Sequence, residues 1–406
     1  MTFNEDLSKS RNVLPPGWRS VRLREICERI DYGYTASADN TIKLPKFLRI
    51  TDIQNGNVSW DSVPGCSISQ ISEKEKCLAD GDIVFARTGS IGKCFLVRQP
   101  PRSVFASYLI RLKTLSDIVD ASFLYLFFQT NDYWNQILSG AHGGVQSGFN
   151  ATMLGDLIVR IPSISEQKRI VSVLSAQLLV IEKARLAAEA QMTASNALPD
   201  SYLRAAFDSS SARAWPKCRL GDICEVVAKQ VDPRVHEYGQ LPHVNGENIE
   251  SGTGRITYLK TAIELGMISG KYLFEPGDVL YSKLRPYLRK ATIVDYRGVC
   301  SADMYPIRFD RTIMEPQFAA WMLISDSFTK YADEQSRRAR MPKLNRDQLF
   351  SYKASVPPLD EQREIISRLD KLFSASNKLN ELMSTELVTI TILPAVLLGR
   401  AFTGGI

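Results

Sequence analysis

The sequence predicts an α+β protein written twice: two tandem-duplicated α+β domains, each followed by a long α-helix, the two helices pairing as an antiparallel coiled coil. Three observations lead there. Segments of the chain repeat at a common offset of 195 to 197 residues. Short apolar or β-branched runs, punctuated by Gly, Asn, Asp and Pro, fill the first part of each repeat. A narrow apolar stripe at helical spacing closes each repeat. The expected boundaries are 1–161 for the first domain, 162–212 for a central helical spacer, 213–355 for the second domain and 356–406 for a C-terminal helical spacer.

The repeat begins near the N-terminus. Gly17-Trp18 through Cys27-Glu28 returns as Ala214-Trp215 through Cys224-Glu225, with Trp, Arg, Leu, Ile, Cys and Glu in register. Asp80 to Arg87 matches Pro276 to Lys283, and Asn150 and Leu154 match Asn345 and Leu349. Within the domains, Phe47–Ile50, Asp82–Ala86 and Phe105–Ile110 read as strands, and Ser122–Ile137 with its counterpart Gln317–Tyr331 as helical pieces.

The strongest match closes each half. Pro162, Glu166, Gln167, Ile170, Ser172, Leu174 and Lys183 answer to Pro357, Glu361, Gln362, Ile365, Ser367, Leu369 and Lys378. Pro162 and Pro357 stop the preceding strands, and Ser165 and Asp360 are expected N-caps. Ile170, Leu174, Leu178 and Ile181 in the first helix, and Ile365, Leu369, Leu372, Leu379 and Met383 in the second, form the stripes expected to pair. A narrow stripe suits one partner helix better than a sheet, and each half has only its duplicate to offer.

Composition excludes whole classes. Hydrophobic residues at 44% and charged residues at 23% are those of an ordinary globular chain, not of a collagen, a disordered segment or a disulfide scaffold. The seven cysteines are never spaced Cys-x-x-Cys, and the three histidines form no His-x-x-x-His pair, so neither disulfides nor a metal are expected. Residues 1–16 hold no apolar run of a secretory signal, and Val388–Leu398 is expected to be too short to span a bilayer. The expected location is cytoplasmic. The net charge of +6 permits a polyanionic partner without requiring one.

No motif names a catalyst. Thr88-Gly89-Ser90-Ile91-Gly92-Lys93 resembles the end of a phosphate-binding loop, but Arg87 stands where a glycine is needed and Cys94 where Ser or Thr is needed. What recurs instead is a set of basic and amide residues on matched loops. In the first half these are Arg49, Gln54, Asn55, Arg87, Thr88, Ser90, Lys93, Gln146, Ser147 and Asn150. In the second half they are Asn245, Asn248, Lys283, Arg285, Arg289, Lys290, Arg337, Arg338, Arg340 and Lys343. Arg and Lys serve phosphates and guanine edges, whereas Asn and Gln can pair with adenine edges in the major groove, so a nucleic acid is the expected partner. A coiled-coil scaffold carrying two protein-binding domains is the alternative; an autonomous DNA enzyme is disfavoured by the missing motifs.

With these residues assembled, the chain resembles the specificity subunit of type I restriction-modification systems along nearly its whole length. The resemblance lies in Leu14-Pro15-Pro16-Gly17-Trp18, the Gly81 to Lys93 block, the Glu-Gln helix starts, and Leu198-Pro199 to Phe207 with its repeat Leu393-Pro394 to Phe402. It implies two target recognition domains that each read half of a split, asymmetric DNA site, with paired helices as a spacer. It further implies docking of two methyltransferase subunits and two restriction (motor-nuclease) subunits, which supply methyl donor, Mg²⁺ and ATP, while this chain carries no cofactor and no catalytic residue. Arg285-Pro286-Tyr287 replaces Gly89-Ser90-Ile91, which implies that the halves read different bases.

Overall fold

Two antiparallel sheets of the same strand order underlie the two halves. In the first, Cys27–Tyr32, Leu109–Thr114, Ile83–Ala86 and Cys94–Leu96 lie side by side; in the second, Cys224–Val226, Met304–Phe309, Val279–Ser282 and Ala291–Ile293 do. The computed structural model describes residues 14–54, 56–140, 149–336 and 342–406. By compactness the chain forms two units, 1–187 with 387–406, and 188–386, a grouping that cuts through both long helices.

In the first unit a second sheet contains Ser103–Phe105, Lys46–Leu48, Gly65–Cys66 and Ala38–Asp39, with Ser103–Phe105 parallel to Lys46–Leu48. The second unit keeps that parallel pair as Pro242–Val244 against Gly298–Cys300 within a five-stranded sheet. The run Phe105–Ile110 is therefore not one strand. The chain turns at Ala106, whose carbonyl takes the Leu109 N–H at 2.9 Å, and crosses from one sheet to the other. Ser122–Ile137 is likewise two helices, Ala121–Phe127 and Asn131–Gly140. The buried Thr130 hydroxyl donates to the Phe127 carbonyl at 2.7 Å and accepts from the Tyr133 N–H, ending one helix and starting the next. Ser325 plays both parts after Pro316–Leu323, donating to the Met322 carbonyl at 2.7 Å and accepting from the Phe328 N–H at 3.4 Å.

Physical chemistry explains why certain motifs recur. Gly81 and Gly277 have φ of +87° and +89°, where a side chain is strained. The buried carboxylates that follow, Asp82 and Asp278, accept the backbone N–H of Ala79 and Glu275 and close the turn entering the central strand. Burial raises the Asp82 pKa above the ordinary range, against the pull of its backbone bond and Arg111. Trp18 lies against Phe123 and Trp215 against Phe318, with ring centroids 6.3 and 6.1 Å apart.

The first long helix spans Ile164–Asn196 and the last spans Leu359–Ala401. The caps differ from expectation: Ser163, not Ser165, receives the Glu166 N–H, and Asp360 lies inside the first turn. Leu198-Pro199 starts a fresh helix, Leu198–Phe207, whereas Leu393-Pro394 lies inside the unbroken last helix. That helix also contains an 18-residue window of mean hydropathy 1.8, long and apolar enough by length and composition to cross a membrane, because its apolar character extends beyond Val388–Leu398.

Of the stripe residues, Ile170 and Leu174 are buried in the first unit's core together with Leu398, Ala401 and Phe402, with Leu178 packed alongside. Ile365 and Leu369 are buried in the second unit's core with Leu203, Ala206, Phe207 and Phe373. The start of each stripe thus packs on a domain core as well as on helix. Ile181, Leu372 and Met383 are partly buried, and Leu379 is 42% exposed, so the stripes weaken away from the domains.

Candidate nucleic-acid interface

Each unit carries a cleft built the same way. In the first, the antiparallel strands Ile83–Ala86 and Cys94–Leu96 place the connecting turn Arg87–Lys93 beside the turn Ile50–Gln54. Between them lies a cavity of about 400 Å³ lined by Thr51, Gln54, Thr88, Gly89, Ser90 and Lys93, among others. In the second, strands Val279–Ser282 and Ala291–Ile293 carry the turn Lys283–Lys290 beside Asn245–Glu247. The cavity there is about 360 Å³, lined by Asn245, Glu247, Arg285, Lys290, Ser301 and Asp303, among others.

The two linings differ in charge. Lys93 among neutral polar groups offers donors to phosphate or guanine, while Glu247 and Asp303 in the second cleft can accept from a cytosine amino group. The Thr88–Lys93 turn does not cradle phosphate as a P-loop does, because the Ser90, Gly92 and Lys93 amides are already bonded to Thr88, Ala86 and Ser90 carbonyls. Gly89 and Gly92 there have φ of +75° and +80°; the second turn places Arg285 and Arg289 at +50° and +51° instead. Each such non-glycine residue costs about 1–2 kcal/mol.

Several expected DNA contacts are exposed at these clefts. Arg87 is exposed, with its guanidinium 5.0 Å from the Tyr32 ring centre. Thr88, Lys93 and Gln54 are exposed and line the first cleft, where Ser90 is half-buried. Arg285 is exposed in the second cleft, and Lys343 is exposed beside it, where its backbone bridges that of Leu284. Among the described residues, no carboxylate lies within 4 Å of the Arg87, Lys93, Arg285 or Lys343 charge. Asn55, Gln146, Ser147, Arg337, Arg338 and Arg340 lie outside the described residues.

The structure turns other expected contacts inward. Lys283 is only 7% exposed, its ammonium 4.7 Å from the Tyr305 ring centre, and burial, with Lys343 nearby, lowers its pKa. Arg289 is bonded to Asp200 at 2.7 Å and to the Ile324 carbonyl at 2.7 Å, with Asp326 at 3.4 Å. Arg49 is clamped on Asp52 by bonds of 3.0 and 2.7 Å, which raises its pKa. Lys290 donates to the Gly246 carbonyl inside the second cleft. Asn150 is a helix N-cap, accepting the Met153 N–H at 2.9 Å, as its match Asn345 accepts that of Gln348. Asn245 and Asn248 cap each other's loop, Asn248 also donating to the Tyr258 carbonyl. In each case a local acceptor or donor outcompetes solvent, which residue type alone does not reveal.

Residues outside the expected set also reach these surfaces. Thr51, Glu247, Ser301 and Asp303 line the clefts, and Tyr287 and Tyr258 are 51% and 69% exposed on the second domain's loops. Aromatics are usually buried, so composition gave no reason to select them. Among the described residues there is no cluster of His, Cys, Asp and Glu able to hold a metal.

This duplicated geometry accords with known proteins. The profile of the type I restriction modification DNA specificity domain matches residues 15–189 and again 213–388. A specificity subunit of the type I restriction enzyme EcoDI from Escherichia coli is 33% identical over 190 residues, 47% of this chain and 42% of that relative. The StySPI specificity subunit from Salmonella potsdam is 21% identical over 97% of this chain and 90% of that protein. Among solved structures, the HsdS subunit from Thermoanaerobacter tengcongensis has a TM-score of 0.64 at 20% identity, covering 98% of this chain and all of that one. A chain solved in work on complex assembly and conformational transition of the type I R-M system gives 0.72 at 20% identity, covering 97% of this chain and all of that one. The chain belongs to the type I restriction-modification DNA specificity family, with one copy of the specificity domain in each repeat.

Proposed function

We propose that this chain reads a bipartite, asymmetric site on double-stranded DNA, one half-site per unit, as the recognition subunit of a type I restriction-modification complex. The observation that carries this reading is the recurrence of one hairpin-and-loop cleft in both units with different linings. A two-stranded β-ribbon fits the major groove, where Lys93 and Arg285 can meet phosphates or guanine edges and Glu247 or Asp303 a cytosine amino group. Different linings imply different half-sites and hence no palindrome.

The long helices serve as the spacer, pairing as an antiparallel coiled coil, and dock two methyltransferase subunits; two restriction subunits join the full complex. Val388, Ile392 and Val396, exposed at four-residue intervals on the last helix, support an apolar docking face. Methyl transfer, ATP hydrolysis and cleavage belong to those partners, this chain contributes no catalytic group, and the complex works in the cytoplasm. The test is to express the chain with its methyltransferase subunits and sequence the methylated positions in host DNA. A split, non-palindromic motif is expected; methylation without sequence preference would overturn the reading.

A further inference from the structure

The turn Lys283–Lys290 is held from three sides. On one, the Arg285 N–H donates to the Pro342 carbonyl at 2.9 Å. On another, the Gly252 N–H meets the Arg289 carbonyl at 3.0 Å, and Ser251 donates to the Leu288 carbonyl. On the third, the Arg289 guanidinium, 14% exposed, joins Asp200 on the helix Leu198–Phe207 and Asp326 at the start of Asp326–Ser336. Arg204 approaches the same Asp326 at 3.4 Å, so the cluster is a network rather than one pair.

Two non-glycine residues of this turn, Arg285 and Arg289, have left-handed backbones, a conformation that persists only where surrounding contacts impose it. The first half needs no such clamp, since Gly89 and Gly92 take the equivalent shape freely. Ala395 stands where the repeat would place a second Asp200, and Gly92, with no side chain, stands at the place of Arg289. The clamp is thus a feature of the second half alone.

We propose that Arg289 is a positioning residue: through Asp200 and Asp326 it holds the strained turn that aims Arg285 at a base edge, so that the second half-site is read only while this network is intact. Arg289 itself does not touch DNA. The inference rests on the DNA-reading function proposed above, and on the second cleft being the reader of its half-site.

The test uses the full chain in its methyltransferase complex and duplexes carrying single base changes in either half-site. Arg289→Ala is expected to reduce discrimination in the second half-site about tenfold, the loss of one well-aimed Arg–base contact. First half-site discrimination and the salt slope of binding should stay as in the unaltered complex, because no phosphate contact is lost. Asp200→Asn should move the second half-site in the same direction, and Arg289→Lys should restore most of it. Should Arg289→Ala lower the salt slope by about one and weaken all sequences alike, Arg289 contacts phosphate and the inference fails. Equal losses in both half-sites, or unchanged discrimination in the second, would also overturn it. If the unaltered complex shows no selectivity at all, the DNA-reading function falls, and this inference with it.

Discussion

Gln167 reaches back from the first turn of its helix to accept the backbone N–H of Asp120 at 2.9 Å. The same fully buried amide donates to the carbonyls of Ile118 and Pro162 at 3.1 and 3.0 Å. Gln362 repeats the arrangement with Glu315, Ile313 and Pro357, each bond 2.8 Å. The Glu-Gln pair at each helix start is therefore a clamp between the long helix and its own domain. Gln167→Ala is expected to orphan three backbone groups, one buried and two half-buried, and to cost about 1–3 kcal/mol. Urea unfolding of Gln167→Ala and Gln362→Ala, compared with the exposed control Lys168→Ala, checks this; loss no greater than the control would refute it.

The chain's last turns complete the first unit's core. The Phe402 ring lies 4.8 Å from Phe123 and 5.7 Å from Phe127 between centroids, as Phe207 lies 5.1 Å from Phe318 in the second unit. Phe402→Ala should destabilise the first unit by about 3–5 kcal/mol, the usual range for a buried aromatic. Limited proteolysis should then cut first within the first unit; in Phe207→Ala the preference should reverse.

At the clefts, Lys93→Ala is expected to weaken DNA binding to all sequences and to lower the salt slope by roughly one. Arg285→Ala should instead cost about 1–3 kcal/mol at one position of the second half-site. Titrations with defined duplexes at several salt concentrations separate these outcomes. Lys283→Met, by contrast, should leave the salt slope unchanged, because that ammonium is buried over Tyr305.

Acid should destabilise the second unit through His243. Burial, with Lys271 nearby, depresses its pKa to about 4 from the ordinary imidazole value of 6.5. The unfolded chain then binds more protons than the folded one between those values. The stabilisation is complete above about pH 6.5 and is lost as pH falls toward about 4. In His243→Leu the slope of stability against pH across that window should flatten, as read from unfolding midpoints at pH 5 and pH 7. An unchanged slope would mean that His243 does not drive it.

The spacer role predicts a change of gap without a change of target. Seven residues inserted in each long helix, between Ile181 and Ala188 and between Ser376 and Met383, keep the heptad phase. They add about 10 Å, or ~3 base pairs. In a variant that still binds its methyltransferase subunits, the preferred gap between half-sites should widen while the half-sites stay the same.

The duplication, the α+β class and the two long helices were legible in the sequence because each leaves a local or periodic trace. Gly81-Asp82 and Gly277-Asp278 recur because a left-handed turn and a buried carboxylate must stand side by side; Gln167 and Gln362 recur because one amide serves three backbone groups. Tertiary structure alone decided which polar residues face outward. Lys283, Arg285 and Arg289 sit within one turn and look alike in sequence, yet Tyr305 takes the first and Asp200 and Asp326 the third, leaving Arg285 at the cleft. It likewise placed Phe402 against Phe123, far away in sequence. Hydrophobic periodicity records that a side chain must be buried, but a partner brought near by folding leaves no mark on the neighbours of the residue it captures.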